Sequence, residues 1–102
     1  MLELRPNCEL CDCDLPADST QACICSYECT FCATCVNDTL QNVCPNCGGG
    51  FTARPIRPTT ARRKGVSRHD QPPSTQRKAA KFTRSQISDF ANLHKDVPPA
   101  DR

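Results

Sequence analysis

The sequence predicts a small metal-stabilised α+β head, with one short β-hairpin and one short helix, followed by a largely disordered basic tail. Three observations carry this. All ten cysteines of the 102-residue chain lie between Cys8 and Cys47. Eight of them stand at spacings that suit metal ligation: Cys8 and Cys11, Cys25 and Cys29, Cys32 and Cys35, Cys44 and Cys47. The charge changes sign near the same boundary. Residues 1–51 hold one base and seven acids, net −6, whereas residues 52–102 hold twelve bases and four acids, net +8.

A head of about fifty residues is too small to bury a self-sufficient apolar core. It needs staples, either disulfides or metal. A short, cysteine-dense chain can be a secreted disulfide scaffold. Against that, MLELRPNCEL has no apolar run and no small-residue cleavage site, so a signal peptide is not expected. No stretch approaches the roughly 20 apolar residues of a membrane span, so no membrane partner is expected. The expected compartment is the cytoplasm, where thiols stay reduced and C-x-x-C pairs bind zinc. Two zinc ions are the expected cofactors. Filled with eight thiolates, they would bring the head to about −10.

The elements follow in order. Leu2 and Leu4 suggest a short strand ending at Pro6. Cys8–Cys11 is a first knuckle, and Asp12 to Thr20 a polar loop in which Asp12 and Asp14 read as a solvated turn. Gln21 to Phe31 reads as a hairpin. Cys32 to Asn42 reads as a short helix that begins inside its C-x-x-C, with Thr34 as cap and Val36 and Leu40 on one face. Cys44-Pro45-Asn46-Cys47-Gly48 is a second knuckle, its turn preset by Pro45 and relaxed by Gly48. Ile24, Phe31, Val36, Leu40 and Phe51 are the candidate core. The domain division expected is 1–53 for the double-zinc head and 54–82 for a disordered basic linker. A short amphipathic helix is expected over 83–95, and a disordered terminus over 96–102. Residues 54–80 have almost no apolar content, the basis for reading them as disordered. Thr83 or Ser85 can cap the helix, and Ile87, Phe90, Ala91 and His94 share one face of it. So short a helix is expected to form only when docked.

Two ligand pairings are open, sequential or interleaved. The ligand order resembles that of RING-like treble-clef domains: a C-x2-C, a 13-residue gap, Cys25-x3-Cys29, a C-x2-C opening a helix, and a final C-P-x-C knuckle. That resemblance implies a cross-braced arrangement. Cys8, Cys11, Cys32 and Cys35 would hold one ion, and Cys25, Cys29, Cys44 and Cys47 the other. Cys29 stands where RING domains usually carry histidine, and the two histidines, His69 and His94, lie outside the cluster. All-cysteine ligation argues for structural metal, because a catalytic zinc keeps a water in one position. Cys13 and Cys23 are left over as spare thiols, alternative ligands or a redox pair that ejects metal on oxidation.

Residues 1–58, from MLELRPNCELC through ICSYECTFCATC to VCPNCGG and Arg-Pro-Ile-Arg-Pro, closely resemble a family of small bacterial cysteine-rich proteins, the domain-of-unknown-function family numbered 1272. The resemblance implies a bacterial cytosolic zinc-finger-like protein and no activity. Cys13 and Cys23 look like departures from that family's usual cysteine set.

The function expected is a non-catalytic zinc-binding interaction module with protein partners. One alternative is nucleic-acid association through Arg54, Arg57, Arg62, Arg63, Lys64, Arg68, Arg77, Lys78, Lys81 and Arg84, which could neutralise phosphates. Few aromatics interleave with these charges, so base stacking is poorly provided for. The competing reading of the same charges is a solubilising tail that folds back on its own acidic head. Further alternatives are a RING-type ubiquitin-ligase-like module, with Leu10 and Pro45 at the contact positions, and a thiol redox or zinc switch. No nucleophile–base pair, paired carboxylate or glycine loop suggests an enzyme.

Overall fold

In the computed structural model, which describes residues 1–102, the head is a small antiparallel sheet backed by one short helix. Strands β1 (Ala22–Ile24) and β2 (Thr30–Cys32) form the hairpin, with Cys23 opposite Phe31. Strand β3 (Thr52–Ala53) pairs with the other edge of β1, so the order is β2-β1-β3. The hairpin loop closes through the Cys25 amide on the Cys29 carbonyl at 3.2 Å. Glu28 turns the chain there with a left-handed φ of 66°.

Helix α1 (Ala33–Cys35) starts directly after β2 and continues as a π-helical segment, Val36–Leu40. Its cap is Cys32 rather than Thr34: the Cys32 sulfur accepts the Cys35 amide at 3.5 Å. A ligand knuckle therefore doubles as a helix cap, since both need a β-region residue whose side chain faces free amides. Left-handed Gln41 and Asn42 end the helix. The short strand expected at Leu2 and Leu4 does not form. Leu4 is buried with a left-handed φ of 56°, which breaks any extended run.

Phe31 and Leu40 are wholly buried, and Leu15, Ala22 and Val36 join them. Phe51 meets Phe31 edge-on at 5.5 Å. Ile24 is only half-buried. Six of the twelve residues in this cluster are cysteines, so the core is as much sulfur as hydrocarbon.

The disordered linker over 54–82 and the disordered terminus over 96–102 are corrected by the structure. The tail runs over the head on polar seats that apolar content does not reveal. Arg54 is buried, and its guanidinium donates to the carbonyls of Arg5, Leu15 and Pro16 at 2.8, 3.1 and 2.9 Å. Arg57 donates to the carbonyls of Leu2 and Gln71. Buried Ser67 accepts the amides of His69 and Asp70 and donates to the Asp70 carboxylate at 2.7 Å. Asn7, also buried, pairs reciprocally with the backbone of Lys78: it donates at 2.7 Å and accepts at 3.1 Å. The Ala80 amide then donates to the Glu9 carbonyl at 2.7 Å.

Helix α2 (Arg84–His94) opens on a capping box between Thr83 and Gln86. It buries Ile87 and Ala91 against the head, where Ile87 belongs to the core cluster itself. Past a 3-10 turn, Pro99–Asp101, the Arg102 side chain donates to the carbonyls of Asn42 and Gly48 at 2.6 and 3.2 Å. A Cβ added at Gly50 would lie 3.0 Å from Pro99, so the head's second knuckle and the chain end pack closely. No helix is long and apolar enough to cross a membrane.

Candidate metal centres

Each knuckle orients its sulfur by the same local device. A backbone amide two or three residues on donates to it: Cys11 to Cys8 at 3.5 Å, Tyr27 to Cys25 at 3.3 Å, Cys35 to Cys32 at 3.5 Å, Gly49 to Cys47 at 3.4 Å. Such bonds stabilise thiolate over thiol and hold the sulfurs facing inward.

The fold gathers the sulfurs in two groups. In the first, Cys8, Cys11, Cys13 and Cys32 place their sulfurs within 4.8 Å of one another. Cys11 and Cys32 are 3.8 Å apart. A tetrahedral zinc with bonds of about 2.3 Å has sulfur–sulfur edges of about 3.8 Å, so the group fits an ion with little movement. Cys35 lies outside that set, on the first turn of α1, where its amide donates to the Cys32 sulfur at 3.5 Å. In the second group, Cys25, Cys44 and Cys47 lie within 4.8 Å of one another. Cys29, at the end of the hairpin loop, lies outside that set, and the Asn46 side-chain amide donates to its sulfur at 3.4 Å. Both groups can therefore hold a metal ion. Each joins knuckles distant in sequence, because β1 and β2 bring the hairpin loop to the Cys44–Cys47 turn and the start of α1 to the Cys8–Cys11 turn.

Burial pushes the Cys8, Cys29, Cys35 and Cys44 thiols up, and Cys13 up to about 12. Cys11 runs the other way, to about 7. Burial opposes its ionisation, but the Cys13 amide and the sulfurs of Cys13, Cys8 and Cys32 together outweigh it. A divalent cation reverses the cost of the buried charges and displaces the protons.

The other candidate residues fall outside these groups. Cys23 sits half-buried on β1, pushed up by burial and then by Cys32. His94 packs its ring on Phe90 at 4.6 Å, and His69 is exposed beside Ser67. Among the tail cations, Arg54 and Arg57 hold backbone carbonyls, and Arg68 meets the Thr59 hydroxyl with Asp18 at 3.9 Å. Arg77 spans Asp12 and Asp14 at 2.9 and 2.7 Å. Those two carboxylates, expected as a merely solvated turn, are the tail's anchor on the first knuckle. Arg62, Arg63, Lys64, Lys78, Lys81 and Arg84 are exposed. Leu10 packs partly against the core, while Pro45 lines a groove with Phe82 and Phe90 of the tail. The place of Cys13 in the first group had one sequence signal, its C-x-C spacing from Cys11.

An uncharacterised protein of Rhizobium meliloti (strain 1021) is 58% identical over 64 residues, covering 63% of this chain and 76% of its own. No solved structure matches the chain. Residues 1–57 match the family described as protein of unknown function, DUF1272. On that match and that relative, the chain belongs to the DUF1272 family.

Proposed function

We propose that this protein is a non-catalytic, two-zinc interaction module that works in the cytoplasm and presents a metal-held surface to a protein partner. The observation that carries the reading is the first sulfur group, with four sulfurs within 4.8 Å of one another and no histidine or carboxylate among them. Such a donor set suits a soft or borderline cation and closes its coordination sphere. A closed sphere leaves no position for a reacting water. The metal's role is then to stabilise the fold, on the order of 10–16 kcal/mol per structural site. Thiols in this state require a reducing compartment. In the proposed pairing, Cys25, Cys29, Cys44 and Cys47 hold the second ion.

Protein is favoured over nucleic acid as the partner. Four of the ten candidate phosphate contacts, Arg54, Arg57, Arg68 and Arg77, are engaged by this chain's own oxygens. Native mass spectrometry of protein expressed in a reducing cytoplasm is expected to find two zinc ions. A chain with no metal, or with disulfides throughout, would overturn the reading. Titration with random-sequence DNA is expected to give no binding at physiological salt. Tight binding with a steep salt slope would instead make the tail a phosphate-binding arm.

A further inference from the structure

The two sulfur groups differ in one respect that bears on how they treat a bound ion. The second has four cysteines available, Cys25, Cys29, Cys44 and Cys47. The first has five. Cys8, Cys11 and Cys32 are common to any assignment. Cys13 completes a set within 4.8 Å, and Cys35 shares a knuckle with Cys32, on the first turn of α1 with its amide on the Cys32 sulfur. Four-coordinate zinc leaves one of the five unbound.

The proximity of Cys13 is built into the backbone. Its carbonyl accepts the Cys8 amide at 2.9 Å, which folds the turn back on the first ligand. Asp12 and Asp14, its neighbours on either side, are both gripped by Arg77. The tail thus clamps the turn that carries Cys13. Cys35 is held as firmly, because its own amide donates to the Cys32 sulfur. The two competitors differ in access: Cys35 is buried, whereas Cys13 is exposed, as is its neighbour Cys11.

We propose that the first centre is a five-thiol exchange site, in which Cys13 and Cys35 compete for the fourth coordination position and the ion passes readily to an external thiolate or chelating acceptor. The proposal rests on the metal-binding reading above. Cys35 would take the position that Cys13 gives up, one sulfur for the other. The Cys35 proton passes to the released Cys13 thiolate, so charge and protons balance. An acceptor approaches on the exposed Cys11–Cys13 side. With Cys35 in place of Cys13 the ion would keep four sulfurs, and an incoming thiolate on the exposed side would displace them one for one. The second centre, with no fifth sulfur, retains its ion.

The experiment uses full-length zinc-loaded protein, a chromogenic pyridylazo chelator to follow release, and native mass spectrometry for stoichiometry. Wild type is expected to hold two zinc ions and to release one at least tenfold faster than the other. Cys35→Ser is expected to keep two ions, because Cys13 serves in its place. Its cobalt-substituted form keeps the thiolate charge-transfer intensity of two all-sulfur sites. Cys13→Ser is expected to keep two ions and lose the fast phase. The double variant is expected to keep one. Wild type with two ions and Cys35→Ser with one would show that Cys13 is no ligand and overturn the proposal. So would a fast phase unchanged in Cys13→Ser, a readout that stands even if Cys35→Ser does not fold. Wild type without metal would overturn the metal reading itself, a distinct result.

Discussion

The head and the tail are ordered by opposite means. The head is held from inside: six of its buried core positions are cysteines, and its strands are two or three residues long. Neither the sheet nor α1 would stand alone at that length. The tail is held from outside, by side chains that reach across to backbone oxygens of the head. Arg54, Arg57 and Arg102 all donate to carbonyls, and Asn7 pairs with the Lys78 backbone. The lesson is hierarchical. The tail's seats exist only once the head has folded, so an ion bound by the head's sulfurs would stand upstream of the tail contacts. Head and tail also meet on apolar terms, through Ile87 and Ala91 of α2 and through Ala80.

The hardest test of that hierarchy is metal removal. Excess chelator is expected to unfold the head, losing on the order of 10 kcal/mol per site. The tail should unfold with it, seen as joint loss of amide protection in both halves. A tail that stays protected after the head melts would break the hierarchy.

Acid should reach the same end more gradually. In the metal-free chain the Cys8, Cys13, Cys29, Cys35 and Cys44 thiols lie above their ordinary value through burial, so protons compete with the ion for them. Affinity therefore falls as pH falls, and metal release on acidification is expected to precede unfolding of the tail. The metal-free chain has the reverse dependence. Its raised thiols favour the folded state below their unfolded value, and that contribution is lost as pH rises through the folded one. Opposite slopes for loaded and metal-free protein in a pH series of melting curves would check both signs.

Arg54→Ala separates the two modes of support. It removes three charge-assisted hydrogen bonds to backbone carbonyls, and the expected cost is about 4 kcal/mol by chemical denaturation, with metal stoichiometry unchanged. Burial already lowers the pKa of Arg54, yet its carbonyl partners keep the charge in place. Ile87→Ala should cost about 3 kcal/mol of docking and expose the amides of α2 to exchange, while metal stoichiometry stays unchanged. Smallest is Thr83→Ala, which removes the cap of α2 and is expected to cost about 1 kcal/mol, read as fraying of its first turn.

Much of the head was legible in the chain. The C-x-x-C knuckles, the hairpin between Cys23 and Phe31, and the helix opening at Cys32 follow from spacings and turn residues within a few positions of each other. The apolar face of α2 and its Thr83 cap were also local. What escaped was the ordered path of residues 54–82. Apolar counting asks whether a segment can bury hydrocarbon, and Arg54, Ser67 and Arg77 order it by other chemistry. Their partners, Leu15, Asp70 and Asp14, carry no mark in the sequence that pairs them. Cys32 as helix cap was missed for a related reason, since a ligand position is not usually weighed as a cap.

By itself the sequence determined that sulfur would dominate the head, that two groups of ligands were available, and that charge would divide acidic head from basic tail. Those properties are sums over residue types and short spacings, which no fold can alter. Only the tertiary structure decided which sulfurs meet. It set Cys13 beside Cys8 and Cys32, left Cys23 apart on β1, and gave Arg77 to the carboxylates that flank Cys13. Such contacts join residues tens of positions apart, and their geometry is set by how the hairpin, α1 and the two knuckles close on one another.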